Sequence, residues 1–439
     1  MRTALVIDDE PEVRALLAQL LQQHGWQVLE ARDGDQGIEI AKAHRPAVVL
    51  CDLLMARGNG FQVCRALRSL ESLRATKLIV VSGRDFPSDR EAAFEAGADE
   101  YLTKPVQAEQ LLALLSGLRG RPEALDSALA VTPAGSSAPM RMKFWGVRGS
   151  IATPGPATLE YGGNTSCLEL RADGRIIILD AGTGMRLLGR ALLEEFGEQP
   201  LDLTLLLTHT HWDHIQGLPF FLPVYKRHNH LRILGYEGSR QSLETVLTSQ
   251  MESPFFPVDL REVPANISIE ELDRLSFSLG AVQVQACFAH HPGICVGYRL
   301  SAAGGSIAFF PDNELRPALP GSPAGPGAAT PALTFARDQN QKLIEFLHGA
   351  DVLVMDAQYD TEEYPEHIGW GHGCVDHVVA LALAAEIKRL FLFHHDPDHD
   401  DAKISQMAAH ARQLVASRNA TLQVEAAREG LAIEVPVKR

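Results

Sequence analysis

The segment Leu203-Thr-Leu-Leu-Leu-Thr reads as a buried strand, and it runs straight into His209-Thr-His211-Trp-Asp213-His214. Three imidazoles and a carboxylate in six residues make a poor core, because each buried polar group needs a partner. They make a good cradle for cations. A buried strand ending in such a loop confines the chain to folds that deliver a sheet edge to a metal. His209 and His211 are one residue apart and can point to one side, which leaves Asp213 and His214 to serve a neighbouring ion. Imidazole with carboxylate suits zinc first, with iron or manganese as alternatives. Two ions sharing a bridging group form a hydrolytic site.

Histidine usage divides the chain. Of 17 histidines only His24 and His44 precede residue 140, so the metal chemistry belongs to the second part. Single cores rarely grow past ~300 residues, and 439 residues imply two domains. Residues 1–120 alternate short strands (Ala4–Ile7, Gln27–Glu30, Ala47–Cys51, Lys77–Val81, Glu100–Leu102) with amphipathic helices. In Val13–Gln23 the apolar positions Val13, Leu16, Leu17, Leu20 and Leu21 predict one helical face, and Pro11 suits the helix start. Such alternation predicts a doubly wound parallel sheet. Residues 121–140 are small, polar and Pro-containing, and read as a linker. From 141 to 439 the pattern is β-rich, with runs such as Arg175–Leu179, Ala281–Ala286 and Val352–Met355; Pro317–Pro331 reads as a surface loop.

Composition narrows the partners. A net charge of −15 argues against long nucleic acid as the main ligand. No apolar run reaches the ~18–20 residues of a membrane span, and the start lacks signal-peptide features, so a cytoplasmic location is expected. The six cysteines form no C-x-x-C pair and read mostly as small buried residues.

Asp8 and Asp9 follow the first strand and Asp52 follows the third, at the carboxyl edge where open α/β sheets bind ligands. Three carboxylates gathered there would repel one another without a cation such as Mg²⁺. Ser82 ends the fourth strand and Lys104 follows the fifth. An Asp nucleophile, a hard metal, a hydroxyl and an ammonium suit phosphoryl transfer to a carboxylate. This set, with Gly60, Ala98-Asp99, Tyr101 and Pro105, resembles the receiver domain of bacterial response regulators over residues 1–120. The resemblance implies Asp52 as phosphoacceptor, Asp9 as the main Mg²⁺ carboxylate with Asp8 assisting, and Ser82 and Lys104 on the phosphoryl group. It makes Tyr101 the aromatic whose orientation reports the state. Ala56 departs from the family's usual Pro, a change expected to affect loop stiffness more than chemistry.

The His209–His214 loop resembles the H-x-H-x-D-H signature of the metallo-β-lactamase superfamily, whose αββα sandwich is then expected over 141–439. That resemblance selects His291 over His290 in Ala-His-His-Pro-Gly, Asp312 as the bridging carboxylate, and His394 over His395 after Leu-Phe-Leu-Phe. It implies one ion on His209, His211, His291 and Asp312, and another on Asp213, His214, Asp312 and His394. Gly371-His372-Gly-Cys is similar to an element of ribonuclease Z and its relatives, which casts His372 beside Asp213 as a catalytic residue that protonates the leaving group or binds phosphate. Asp356 stands where those relatives carry a Glu supporting that His, which leaves the pairing open. Arg148 contacts a phosphate or holds a turn, and Asp180 backs the metal loop. His228, His230, His348, His367, His377, His399 and His410 read as ordinary residues.

Together these features predict a two-component response regulator with a dinuclear-metal output enzyme. The ribonuclease Z-like features favour a phosphodiester over a β-lactam. The acidic balance favours a small nucleotide-type substrate over tRNA. A sensor histidine kinase is the implied phosphodonor, and a homodimer is one outcome of phosphorylation. An ester or thioester hydrolase, and a non-catalytic ligand-binding output domain, are the alternatives.

Overall fold

In a computed structural model, residues 2–115, 139–236, 241–272, 274–302, 305–315 and 331–435 are described. They divide into two compact units, one within Met1–Thr132 and one from Pro133 on. The proposed linker, up to residue 138, and the 317–330 loop lie outside the described residues.

The first unit runs β1 (Arg2–Ile7), α1 (Pro11–Gln23), β2 (Trp26–Ala31), α2 (Gly34–His44), β3 (Val48–Asp52), α3 (Gly60–Ser69), β4 (Lys77–Ser82), α4 (Pro87–Glu95), β5 (Glu100–Thr103) and α5 (Ala108–Leu115). Its sheet is all parallel in the order β2-β1-β3-β4-β5. The central strands β1, β3 and β4 are largely apolar because both faces are covered. Val6 packs with Leu17, Leu21, Leu111 and Leu115 on one side. Ile7 faces the other way, so close to Gly37 of α2 that a Cβ there would lie 2.3 Å from Ile7 Cδ1. Two helix starts are set by side-chain caps: Asp33 accepts from Gln36 N at 2.8 Å, and Asn59 with Gln62 forms a capping box. One position departs from the predicted face of α1. Leu16 is 66% exposed, and Ala18 is buried in its stead beside Leu17 and Leu21. The strand order reverses between β1 and β3, and the crevice there receives Asp8, Asp9 and Asp52.

The second unit runs β6 (Met140–Gly146), β7 (Cys167–Ala172), β8 (Arg175–Leu179), α6 (Gly184–Phe196), β9 (Asp202–Leu206), α7 (Trp212–Ile215), β10 (His230–Gly235), α8 (Leu243–Ser249), β11 (Asn266–Glu271) and β12 (Ser276–Leu279). It continues with β13 (Val282–Phe288), β14 (Val296–Ala302), β15 (Gly305–Phe310), α9 (Pro331–Leu347), β16 (Val352–Asp356), α10 (Val375–Ala384), β17 (Arg389–Phe393), α11 (Asp401–Ser417), β18 (Gln423–Ala426) and β19 (Ala432–Val435). Two seven-stranded sheets form, β11-β10-β9-β8-β7-β6-β19 and β12-β13-β14-β15-β16-β17-β18. They meet through aromatic side chains: Phe144 of β6 lies 5.1 and 6.1 Å, ring to ring, from Phe391 and Phe393 of β17. α6 and α8 cover the outer face of the first sheet. α9, α10 and α11 cover that of the second. This is the αββα sandwich. Next to the sheet's edge the strands show the period-two pattern of a half-solvated surface, as in β13, where Val282, Val284 and Ala286 are buried while Gln283 and Gln285 are exposed. The carboxyl ends of β9, β13, β15, β16 and β17 lead into the segments described next.

Candidate active site

Each of those strands hands one or two polar groups to a common point. The turn after β9 carries His209 and His211, and α7 carries Asp213 and His214. His291 follows β13, Asp312 follows β15, Asp356 ends β16, and His394 follows β17. The structure gathers His209, His211, His291 and Asp312 in one group, and Asp213, His214 and His394 in another. Asp312 faces both. Its Oδ2 lies 3.8 Å from His209 Nε2 and 3.6 Å from His291 Nε2, and its Oδ1 lies 3.0 Å from His214 Nε2 and 3.4 Å from His394 Nε2. Asp213 Oδ2 is 3.2 Å from both His214 Nε2 and His394 Nε2.

These groups fit divalent ions. Ligand atoms ~2.1 Å from a tetrahedral ion lie about 3.4 Å from one another. The pairs above stand 3.0–3.8 Å apart. His214 gives its Nδ1 proton to Asp180 Oδ2 at 2.7 Å, so its Nε2 lone pair faces the two carboxylates. Nε2 of His209, Nε2 of His214 and Oδ1 of Asp312 are buried without a hydrogen bond among the described residues. Lone pairs turned on one another are costly without a cation between them. Charge points the same way. Burial opposes protonation of His394, yet Asp312 and Asp213 outweigh it and push the group up to about 9. Burial, joined by the neighbouring imidazoles and only partly opposed by Asp312, pushes His209 and His291 down, as neutral donors require.

A second layer orients the imidazoles. His291 Nδ1 reaches Gly371 O at 3.0 Å, His394 Nδ1 reaches Gln358 Oε1 at 3.1 Å, and Asp213 Oδ2 accepts from Ser150 N at 2.8 Å. Asp180 also takes Thr208 N at 2.9 Å. Asp180 (φ 61°) and His394 (φ 59°) each sit directly after a strand in the left-handed region, a conformation costing a non-glycine residue ~1 kcal/mol or more and concentrated at functional sites. His395 turns the other way. Its Nε2 bonds Ala427 O at 2.9 Å, and burial pushes it down to about 3. His290 likewise falls outside both groups.

His372 Nδ1 lies 3.0 Å from Asp356 Oδ2, so the shorter carboxylate reaches the imidazole after all. Asp356 is itself held by Asn313 N at 3.1 Å and Gln358 N at 3.0 Å. His372 also stacks on His394 at 4.9 Å. Arg148 takes the structural of its two predicted roles. Its side chain is fully buried and donates to the carbonyls of Gly162, Asp396 and His399 at 2.8, 3.0 and 2.6 Å, which leaves the guanidinium no face toward a phosphate.

Two residues escaped the sequence reading. Gln358 orients His394. Buried Glu314 accepts from Tyr364 Oη, Gly369 N and Gly371 N at 2.9–3.0 Å and ties the His372 loop to the Asp312 segment. The one available signal for Glu314 was its place two residues after Asp312.

In the first unit Asp8, Asp9 and Asp52 converge. Lys104 Nζ lies 2.9 Å from Asp8 Oδ2 and 3.2 Å from Asp52 Oδ2. Burial raises the Asp52 carboxyl; Lys104 opposes this, and Asp8 and Asp9 add to it. Three acids sharing one ammonium suit a further cation. Ser82 Oγ accepts from Arg84 N at 3.1 Å, and Tyr101 is buried with its hydroxyl donating to Arg84 O at 3.0 Å. Ala56 matters more than predicted: its N–H donates to Asp9 Oδ2 at 2.7 Å, a bond that a proline could not make.

The αββα sandwich with its paired His/Asp groups, joined to a doubly wound unit with an acidic pocket, defines a receiver linked to a metal-dependent hydrolase. Residues 4–116 match the response regulator receiver domain family, and residues 175–395 match the β-lactamase superfamily domain. The chain therefore belongs to the β-lactamase superfamily and carries a response regulator receiver domain. It is 37% identical to protein PilH of Pseudomonas aeruginosa over 118 residues, 27% of this chain and 98% of PilH. It is 39% identical to response regulator MprA of Mycolicibacterium vanbaalenii over 124 residues, 28% of this chain and about half (53%) of MprA. The solved metallo-β-lactamase fold protein YhfI from Bacillus subtilis covers 68% of this chain over 100% of its own length, with a TM-score of 0.48 and 16% identity. No helix among the described residues is long and apolar enough to cross a membrane.

Proposed function

We propose that residues 1–120 receive a phosphoryl group at Asp52 from a sensor histidine kinase, and that residues 141–439, joined by a linker over 121–140, hydrolyse a small phosphodiester of nucleotide type in the cytoplasm. The observation that carries this reading is Asp312, which presents one oxygen to each imidazole group beside a carboxylate-held His372. His209, His211, His291 and Asp312 would hold one divalent ion, and Asp213, His214, Asp312 and His394 the other, with zinc favoured over iron or manganese. Such ions lower the pKa of water and offset charge on a phosphate. The chain's own residues do the rest. Asp180, Gln358 and Gly371 O fix the rings that face the ions. Asp356, accepting from Nδ1, sets the tautomer in which His372 turns Nε2 to the substrate, where it holds or passes a proton at the leaving oxygen. In the receiver, Asp8, Asp9 and Asp52 would take Mg²⁺, while Ser82 and Lys104 contact the phosphoryl group.

The test is a substrate screen on the purified full-length chain. Turnover of bis-p-nitrophenyl phosphate and of cyclic nucleotides is expected. Turnover of esters or thioesters alone would overturn the phosphodiester assignment. Full metal occupancy with no turnover on any class would favour a ligand-binding output domain.

A further inference from the structure

The phosphodiesterase reading leaves the rest of the substrate open, and the next inference rests on it. Scattered apolar side chains on a surface need no explanation. Here several exposed ones adjoin the metal-site segments along the chain: Ile151 beside Ser150, Trp212 between His211 and Asp213, and Ile368 and Trp370 in the loop entering His372.

Trp370 is 59% exposed, yet it is held from three sides. Glu314, itself 5% exposed, accepts from Gly369 N and Gly371 N, the amides on either side of it. His367 meets its ring edge-on at 4.8 Å. His367 in turn is stacked on Tyr359 at 4.1 Å and an interplanar angle of 15°, with its Nδ1 2.8 Å from Glu363 O. A large apolar ring fixed in water loses burial and gains nothing in folding. Fixed before a ligand arrives, it binds without the cost of ordering. Trp212 is 76% exposed. It follows His211, the exposed member of its metal group, which marks the side where the site opens. Both tryptophans leave the chain from segments abutting one imidazole: His291 Nε2 lies 3.1 Å from His211 Nδ1, and His291 Nδ1 lies 3.0 Å from Gly371 O.

We propose that Trp212 and Trp370 form an aromatic subsite at the mouth of the metal site that stacks on the base of a nucleoside phosphate, and so determine specificity for nucleotide-type diesters. Indole faces suit any base, and each stacked ring strengthens binding about tenfold. With Arg148 turned into the backbone, the ring takes over the anchoring that a guanidinium would have supplied.

The probes are AMP and ribose 5-phosphate, which differ by the base alone, titrated calorimetrically into the full-length protein with its metals. The expected result is tighter binding of AMP by about tenfold or more. Trp370→Ala and Trp212→Ala should each lose about tenfold toward AMP and nothing toward ribose 5-phosphate, with metal content unchanged. Trp370→Phe should keep most of the preference. Equal affinities in the wild type, or Ala variants that weaken both probes alike, would overturn the proposal. A protein that prefers AMP yet turns over no diester would remove the hydrolase reading and leave the subsite standing.

Discussion

At the scale of single residues, the proposed active site separates groups that would hold charge from a group that would move it. His209 Nε2 is buried without a hydrogen bond among the described residues, and Asp213 Oδ2, besides its bond from Ser150 N, lies 3.2 Å from Nε2 of both His214 and His394. His209→Ala and Asp213→Ala should therefore each lose bound metal and all turnover. His372 stands 3.9 Å from Asp312 and is anchored instead to Asp356. His372→Ala should keep its metals and lose ~10²–10⁴-fold in turnover, the range of one general acid. Metal analysis and rate on the same preparations separate the two cases, and loss of metal from His372→Ala would refute its role. Residue identity alone told much of this. The loop from His209 to His214 is contiguous, so its chemistry is visible in one line of sequence. Arg148 was ambiguous there because its partners are backbone carbonyls, two of them about 250 positions away, and carbonyls leave no trace in residue type.

At the scale of elements, strands were legible wherever burial on both faces made them continuously apolar, as in β8 and β16. Helix faces were less so, since Leu16 lies in the right period yet faces water. The loop into His372 was the hardest to read. Its shape depends on Glu314 and on Gly371, which adopts φ 91°, and a Cβ there would lie 2.5 Å from Pro292 Cδ and 2.6 Å from His291 Nδ1. Gly371→Ala is thus strained twice, by conformation and by contact. It should push the loop off His291 and weaken metal binding while leaving the fold in place. A chelator titration checks this: metal should leave the variant at lower chelator concentration than the wild type, and equal curves would show that the loop does not support His291.

At the scale of the whole molecule, a receiver pocket with its Asp52, Lys104 and Ser82 is joined in one chain to a metal-site fold. Phosphorylation would turn the singly charged Asp52 carboxylate into an acyl phosphate bearing about two negative charges, and would draw Ser82 and Lys104 toward them. Ser82 Oγ would then exchange its bond with Arg84 N, the residue whose carbonyl holds the Tyr101 hydroxyl. Beryllofluoride with Mg²⁺ should change turnover or oligomeric state in the wild type and not in Asp52→Ala; identical behaviour of the two proteins would uncouple the receiver from the output. Everything downstream depends on the ions. The most direct measurement is elemental analysis of the full-length chain purified without chelator. The account predicts close to two transition-metal ions per chain, and a value near zero in a protein with intact secondary structure would contradict it.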